Sequence, residues 1–126
     1  MEKPTPAALQ SFEAAWTAAA AQGDGAVDRK RMFGMPAAFV NGNMFMGVFA
    51  NGIILRFAED DRQRLLQSDG IGPFSPRPGG NPWKDYISVD ADQWGDSDEL
   101  GAWAAAARAH TAKMPVKVPK PRKKKA

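Results

Sequence analysis

Chemistry needs side chains that can give up a proton, hold a metal or attack a carbon, and this chain has few arranged to do so. It contains no cysteine, which removes disulfides, thiolate metal sites and cysteine nucleophiles. Its single histidine, His110, sits near the end of a helical pattern, with no nucleophile or orienting carboxylate placeable beside it. Three consecutive acids, Glu59-Asp60-Asp61, could suggest a cation site. Neighbouring helical residues point in different directions, however, and no second acid cluster completes a shell. The run instead suits a helix start, where carboxylates meet the positive end of the dipole. Gly79-Gly80 lacks the spacing of a phosphate-binding loop. A small-molecule pocket would have to be built from Arg56, Lys84, Tyr86 and the long loop before them. The chemistry on offer is therefore binding rather than catalysis, and no cofactor is implied.

The elements that would position any binding surface are organised around Arg31 to Phe57, RMFGMPAAFVNGNMFMGVFANGIILRF. Two Asn-Gly pairs, Asn41-Gly42 and Asn51-Gly52, are each flanked by apolar, β-prone residues. Asn-Gly favours the tight hairpin turn because both residues tolerate positive φ. The stretch reads as a meander of Ala37–Val40, Asn43–Ala50 and Ile53–Phe57. A two-residue turn at Asn51-Gly52 pairs Ala50 with Ile53, Val48 with Leu55 and Met46 with Phe57, all on one face. A like turn at Asn41-Gly42 pairs Phe39 with Met44 on that face and Ala38 with Phe45 on the other. The first face is wholly apolar and must be core. The second carries Phe45, Gly47, Phe49 and Ile54 beside Arg56, too apolar for a wetted face. Phe45, Phe49 and Ile54 are thus candidate contacts for the Ser68–Pro82 loop, a protein partner or a second copy.

The ordered set Met32-Phe33-Gly34, Phe39, Asn41-Gly42, Met44-Phe45, Leu55-Arg56, Pro73-Phe74, Gly80, Pro82, Lys84 and Tyr86 resembles the N-terminal domain of the TfoX/Sxy competence regulators. Met35 stands where the family usually has a second glycine. The resemblance runs from about Leu9 to Met114 and implies an α+β fold. In that layout an antiparallel sheet of about five strands packs in two layers against N- and C-terminal helices. Full-length regulators of this type carry a further C-terminal helical domain, for which this chain has no room. The resemblance thus implies a stand-alone N-terminal module, and together with the absence of a catalytic set and the two-faced apolar hairpin it points to a small non-enzymatic regulatory or interaction module.

Around the meander, Thr5 and Pro6 suit the start of a helix striped by Leu9, Phe12, Trp16 and Ala20, which Gln22 to Gly25 stops. Met32 and Phe33 begin the first strand, and Gly34 and Pro36 mark a bulge or turn into the meander. Glu59 opens a short helix with Leu65-Leu66 on its buried side, and Ser68–Pro82 is loop. Lys84 to Val89 is the last strand. Asp96-Ser97-Asp98 caps a final helix striped by Leu100, Trp103, Ala104 and Ala107.

Length allows one domain, placed at residues 5–113, with residues 114–126 as a basic, extended tail. From Lys113 onward there are seven basic residues and no acid. Residues 1–112 hold ten basic against fourteen acidic, a net of −4 beneath a whole-chain charge of +3. Lys117, Lys120, Arg122, Lys123, Lys124 and Lys125 are candidate cations for weak, sequence-indifferent contact with nucleic acid. Arg29, Lys30 and Arg31, the basic cluster inside the domain, are either a solvated strand entrance or a second such contact. No secretory signal and no apolar run near membrane-spanning length is visible, so a cytoplasmic protein without a membrane partner is expected.

Overall fold

A computed structural model describes residues 3–21, 27–32, 35–75, 80–81, 83–95 and 97–114. Ten elements follow along the chain. They are α1 (Pro6–Ala20), β1 (Val27–Met32), β2 (Met35–Val40), β3 (Asn43–Phe49), β4 (Gly52–Arg56), α2 (Glu59–Leu65), β5 (Ile71–Pro73), β6 (Tyr86–Asp90), α3 (Ala91–Trp94) and α4 (Asp98–Ala112). The strands form one antiparallel sheet in the order β1-β2-β3-β4-β6-β5. The two long helices pack against each other and lie across β3 and β4. The fold is α+β, with a helical layer on one sheet face.

Both long helices start at the residues the sequence marks. Thr5 Oγ1 accepts from the amide of Ala8 at 3.1 Å, and Ser97 Oγ accepts from the amide of Leu100 at 3.3 Å. The buried side of α1 is Ala8, Ser11, Phe12, Ala15 and Ala19, with Leu9 and Trp16 at its flank. Alanines so placed let α1 approach α4 closely, and Ala104 and Ala107 answer them from the other helix. Beneath lie Met46, Val48, Ile53 and Leu55 from the central strands, with Ile87 and Val89 from β6. Burial of each large side chain here stabilises the fold by about 1.5–3 kcal/mol. Leu65 of α2 and Ala91 of α3 enter the same cluster, so all four helices serve this one face.

The meander is present, but its registers differ from the expected ones. The second turn is Ala50-Asn51, with Phe49 opposite Gly52, Val48 opposite Ile53 and Met46 opposite Leu55. Ala50, not Asn51, takes the left-handed backbone at φ 50°. Gly52 stands inside the ladder instead, where a Cβ would crowd only the Ser88 hydroxyl, which can turn away. Asn51 serves as a clamp. Its Oδ1 accepts from Thr5 Oγ1 at 2.6 Å and its Nδ2 donates to Asp90 at 3.0 Å. A shift of two residues leaves Met46, Val48, Ile53 and Leu55 on their expected face.

The first hairpin does not preserve its faces. Its turn is at Asn41-Gly42, both at positive φ, and Phe39 faces Met44, but Ala38 faces Met46. Phe45 is the extra residue of a bulge. The bulge turns Phe45 onto the helix side beside Met46, and puts Met44 and Phe39 on the opposite face with Gly47 and Phe49. The expectation that Phe39 and Met44 are helix-side core, and Phe45 not, is corrected. Two further boundaries move. The first strand begins at Val27, so Arg29-Lys30-Arg31 lies within it, and Ile71–Pro73 of the expected loop is a short edge strand.

Candidate functional site

The sheet face turned away from the helices is where the remaining polar and aromatic groups gather. Arg56 ends β4 directly opposite Tyr86 at the start of β6. Its guanidinium lies over the Tyr86 ring at 5.3 Å, a cation–π contact. Asp85, just before β6, has φ 76°, a backbone that aspartate tolerates better than most residues. That turn aims its carboxylate between two arginines. Arg56 Nη2 is 3.5 Å from one oxygen, and Arg62 Nη1 of α2 is 3.2 Å from the other. Arg62 also donates to the Phe57 carbonyl at 2.5 Å, and the Phe57 amide donates to the Asp85 carbonyl at 3.0 Å. The junction of β4, α2 and β6 is thereby closed by one carboxylate and two guanidinium groups.

Tyr86 leads away from this junction. Its hydroxyl donates to the Met44 carbonyl at 3.1 Å, and burial pushes its pKa up while the Arg56 charge pulls the other way. From Tyr86 a row of edge-to-face rings crosses the sheet: Trp83 at 5.8 Å, then Phe74 at 4.9 Å, then Phe49 at 5.5 Å. Beneath the row lie Met35, Ala37, Met44 and Ile54, all buried, around Gly47. Phe49, Trp83 and Tyr86 remain partly exposed. The face therefore presents aromatic rings over an apolar floor, with Arg56 at its margin.

The candidate residues fall unevenly on this geometry. Phe45 is 0% exposed within the helix-side core, and Ile54, at 2%, lies under the rings. Neither offers a surface: Phe45 leaves the expected group for the helix side, while Phe49 packs against Phe74 of the expected Ser68–Pro82 loop, the first of the contacts expected for this face. Phe49 alone of the three reaches solvent. Arg29, Lys30 and Arg31 alternate along β1, as strand side chains must. Arg29 turns to the helix side, donating to both oxygens of Glu13 at 2.7 Å and lying over Phe12 and Trp16. Lys30 turns to the other side, over the Phe39 ring at 5.4 Å. The three cations do not form one patch. Lys84 is exposed. Lys117, Lys120, Arg122, Lys123, Lys124 and Lys125 lie outside the described residues.

Sequence reasoning passed over Asp85 and Arg62, and also Arg108, which α4 carries into the interior. A charged residue beside an apolar strand, with a second charge on the preceding helix, was the available signal for the first two. His110, half-buried on α4, has its pKa lowered by burial and by the Arg56 charge. Among the described residues no group of acids and histidine is placed to hold a metal. None of the described helices is long and apolar enough to cross a membrane.

The model of the TfoX N-terminal domain matches residues 19–111. The chain belongs to the TfoX N-terminal domain family. The matched span holds all six strands, so the aromatic row and the Arg56–Asp85–Arg62 junction are both built from it. No curated protein matches the chain.

Proposed function

We propose that this member of the TfoX N-terminal domain family is a regulatory module that acts by binding a protein and performs no reaction of its own. The observation that carries this reading is the aromatic face. Phe49, Trp83 and Tyr86 are partly exposed rings on a rigid sheet, with an arginine beside them, and these residue types dominate the energetics of protein interfaces. The polar groups nearby support it as well. Asp85 is held by two arginines and the Tyr86 hydroxyl by a backbone carbonyl, so these groups hold the fold rather than stand ready for proton transfer.

The test is a photo-crosslinking amino acid placed at position 83 of the full chain in its own cells, with position 99 on the exposed side of α4 as control. A discrete adduct from position 83 and none from 99 supports the reading, and an adduct of twice the chain mass identifies a second copy as the partner. Equal labelling from both positions, or none from 83, rejects it.

A second reading rests on charge. Seven cations and no acid from Lys113 onward suit weak contact with nucleic-acid phosphates. Binding of a fluorescent DNA duplex should fall steeply between 50 and 200 mM salt, on the order of tenfold or more, and vanish when residues 115–126 are removed. Affinity retained by the shortened chain would reject the tail as its source.

A further inference from the structure

The sheet face opposite the helices is not evenly filled. Where β3, β4 and β6 run side by side, Phe49 stands opposite Gly52, and Gly52 stands opposite Asp90. Residues directly opposite one another share a face, so the ring and the carboxylate point the same way with no side chain between them. Two strand spacings, roughly 10 Å, separate their backbones. In the next row, Ser88 lies between Ile54 and Gly72.

The result is an open cleft of about 400 Å³, lined by Phe49, Phe74, Gly52, Ser88, Gly72 and Asp90 among others. Asp90 is the only charged residue in that lining. One of its oxygens accepts from Asn51 Nδ2 at 3.0 Å, and no described cation pairs with it. Phe49 and Phe74 meet edge to edge-on face at 5.5 Å, and the Phe49 ring stays partly exposed. A Cβ at Gly72 would meet nothing within 4 Å, and one at Gly52 would crowd only the Ser88 hydroxyl. The room over these glycines is therefore left open rather than taken by the protein's own packing.

These groups select a ligand by sign and by shape. A carboxylate without a counter-ion and an exposed aromatic ring both favour a cation, and an anion would meet no opposite charge in the lining. A guanidinium suits the pair better than an ammonium. It stacks through its flat face and donates through its edge, so contact with the Phe49 ring leaves N–H groups for the Asp90 carboxylate. An ammonium has no flat face and is more strongly hydrated. Asn51, which itself accepts from Thr5 Oγ1 at 2.6 Å, holds the carboxylate in place.

We propose that this cleft receives an arginine side chain of the partner protein. Asp90 supplies the opposite charge, Phe49 the flat contact, and Gly52 and Gly72 the room. The inference rests on the reading of the aromatic face as a protein-binding surface, with which the cleft shares Phe49 and Phe74. It adds the residue that the partner presents at that end of the face.

The experiment titrates the full, isotopically labelled chain with the blocked dipeptide acetyl-leucyl-arginine amide, read by amide shifts. Parallel peptides carry lysine, citrulline or glutamate in place of arginine, citrulline keeping the shape of arginine without its charge. Expected are shifts concentrated on residues 49–52, 70–74 and 88–90, binding about tenfold weaker for citrulline, weaker also for lysine, and none for glutamate. Asp90→Asn can still accept from Asn51, and Gly72→Val fills the cleft without removing charge. Each should weaken arginine binding about tenfold in a chain whose spectrum stays dispersed. Equal binding by the citrulline or lysine peptide, or undiminished binding by either variant, would overturn the proposal. So would cleft signals that move with protein concentration before any peptide is added, which would seat the basic terminus of a second copy there. The crosslink from position 83 separates the two readings. An adduct equally strong in Asp90→Asn overturns the arginine inference alone, and no adduct in either chain rejects the protein-binding reading and this inference with it.

Discussion

Arg108 of α4 donates from Nη1 to the carbonyl oxygen of Ala19, 2.5 Å away and 89 residues earlier in the chain. Ala19 stands in the last turn of α1, where carbonyls have no partner within their own helix. The last helix thus caps the first with a side chain only 4% exposed. Arg108→Ala should lower the unfolding free energy by about 1.5–3 kcal/mol, the range for hydrogen bonds to charged groups. Chemical denaturation measures it, and an unchanged midpoint would show that this bond contributes nothing.

The bulge makes a sharper comparison. Phe45 and Phe49, four residues apart on one strand, would share a face in an unbroken ladder, but only Phe45 enters the helix-side core. Phe45→Ala should cost about 3–5 kcal/mol, the range for a fully buried phenylalanine. Phe49→Ala, at a partly exposed site, should cost clearly less. Equal losses in urea unfolding would contradict the bulge.

Thr111 offers a change in the opposite direction. It is 0% exposed on α4, and its Oγ1 finds no hydrogen-bond partner among the described residues. Valine has the same shape without the hydroxyl. Thr111→Val should therefore raise stability by about 1 kcal/mol or more, since a buried unsatisfied polar group carries its full desolvation cost. A lower melting temperature in calorimetry would show that the hydroxyl is satisfied in solution.

Tyr86 is the only tyrosine in the chain, so ultraviolet titration of phenolate absorbance reads it alone. Burial raises its folded pKa above the usual value of about 10. The folded chain should ionise at higher pH than the same chain in denaturant. The sign follows for stability: the contribution is fully present below the unfolded pKa and is lost as pH rises through the folded one. Arg56→Met removes a charge that favours phenolate, and should move the folded titration higher still. A folded chain that titrates with the denatured one would place the ring in water.

What was legible in the sequence was local. Thr5 and Ser97 cap helices because a hydroxyl and the amide it serves lie three residues apart. Asn41-Gly42 makes a turn because both residues accept positive φ. The period-two pattern of Met46, Val48, Ile53 and Leu55 identified one sheet face, and the basic run after Lys113 was plain from composition. The family resemblance supplied the α+β layout. What only tertiary structure decided was where local preferences compete. Asn51-Gly52 has the same turn chemistry as Asn41-Gly42. Yet Gly52 stands inside the ladder opposite Asp90, and Asn51 is held by Thr5 and Asp90. The bulge at Phe45 reverses the faces of β2 because α1 and α4 provide a core large enough for that ring. Asp85, Arg62 and Arg56 meet across 29 positions, and Arg108 reaches Ala19 across 89. No periodicity records such meetings, because they depend on the path of the chain between the partners.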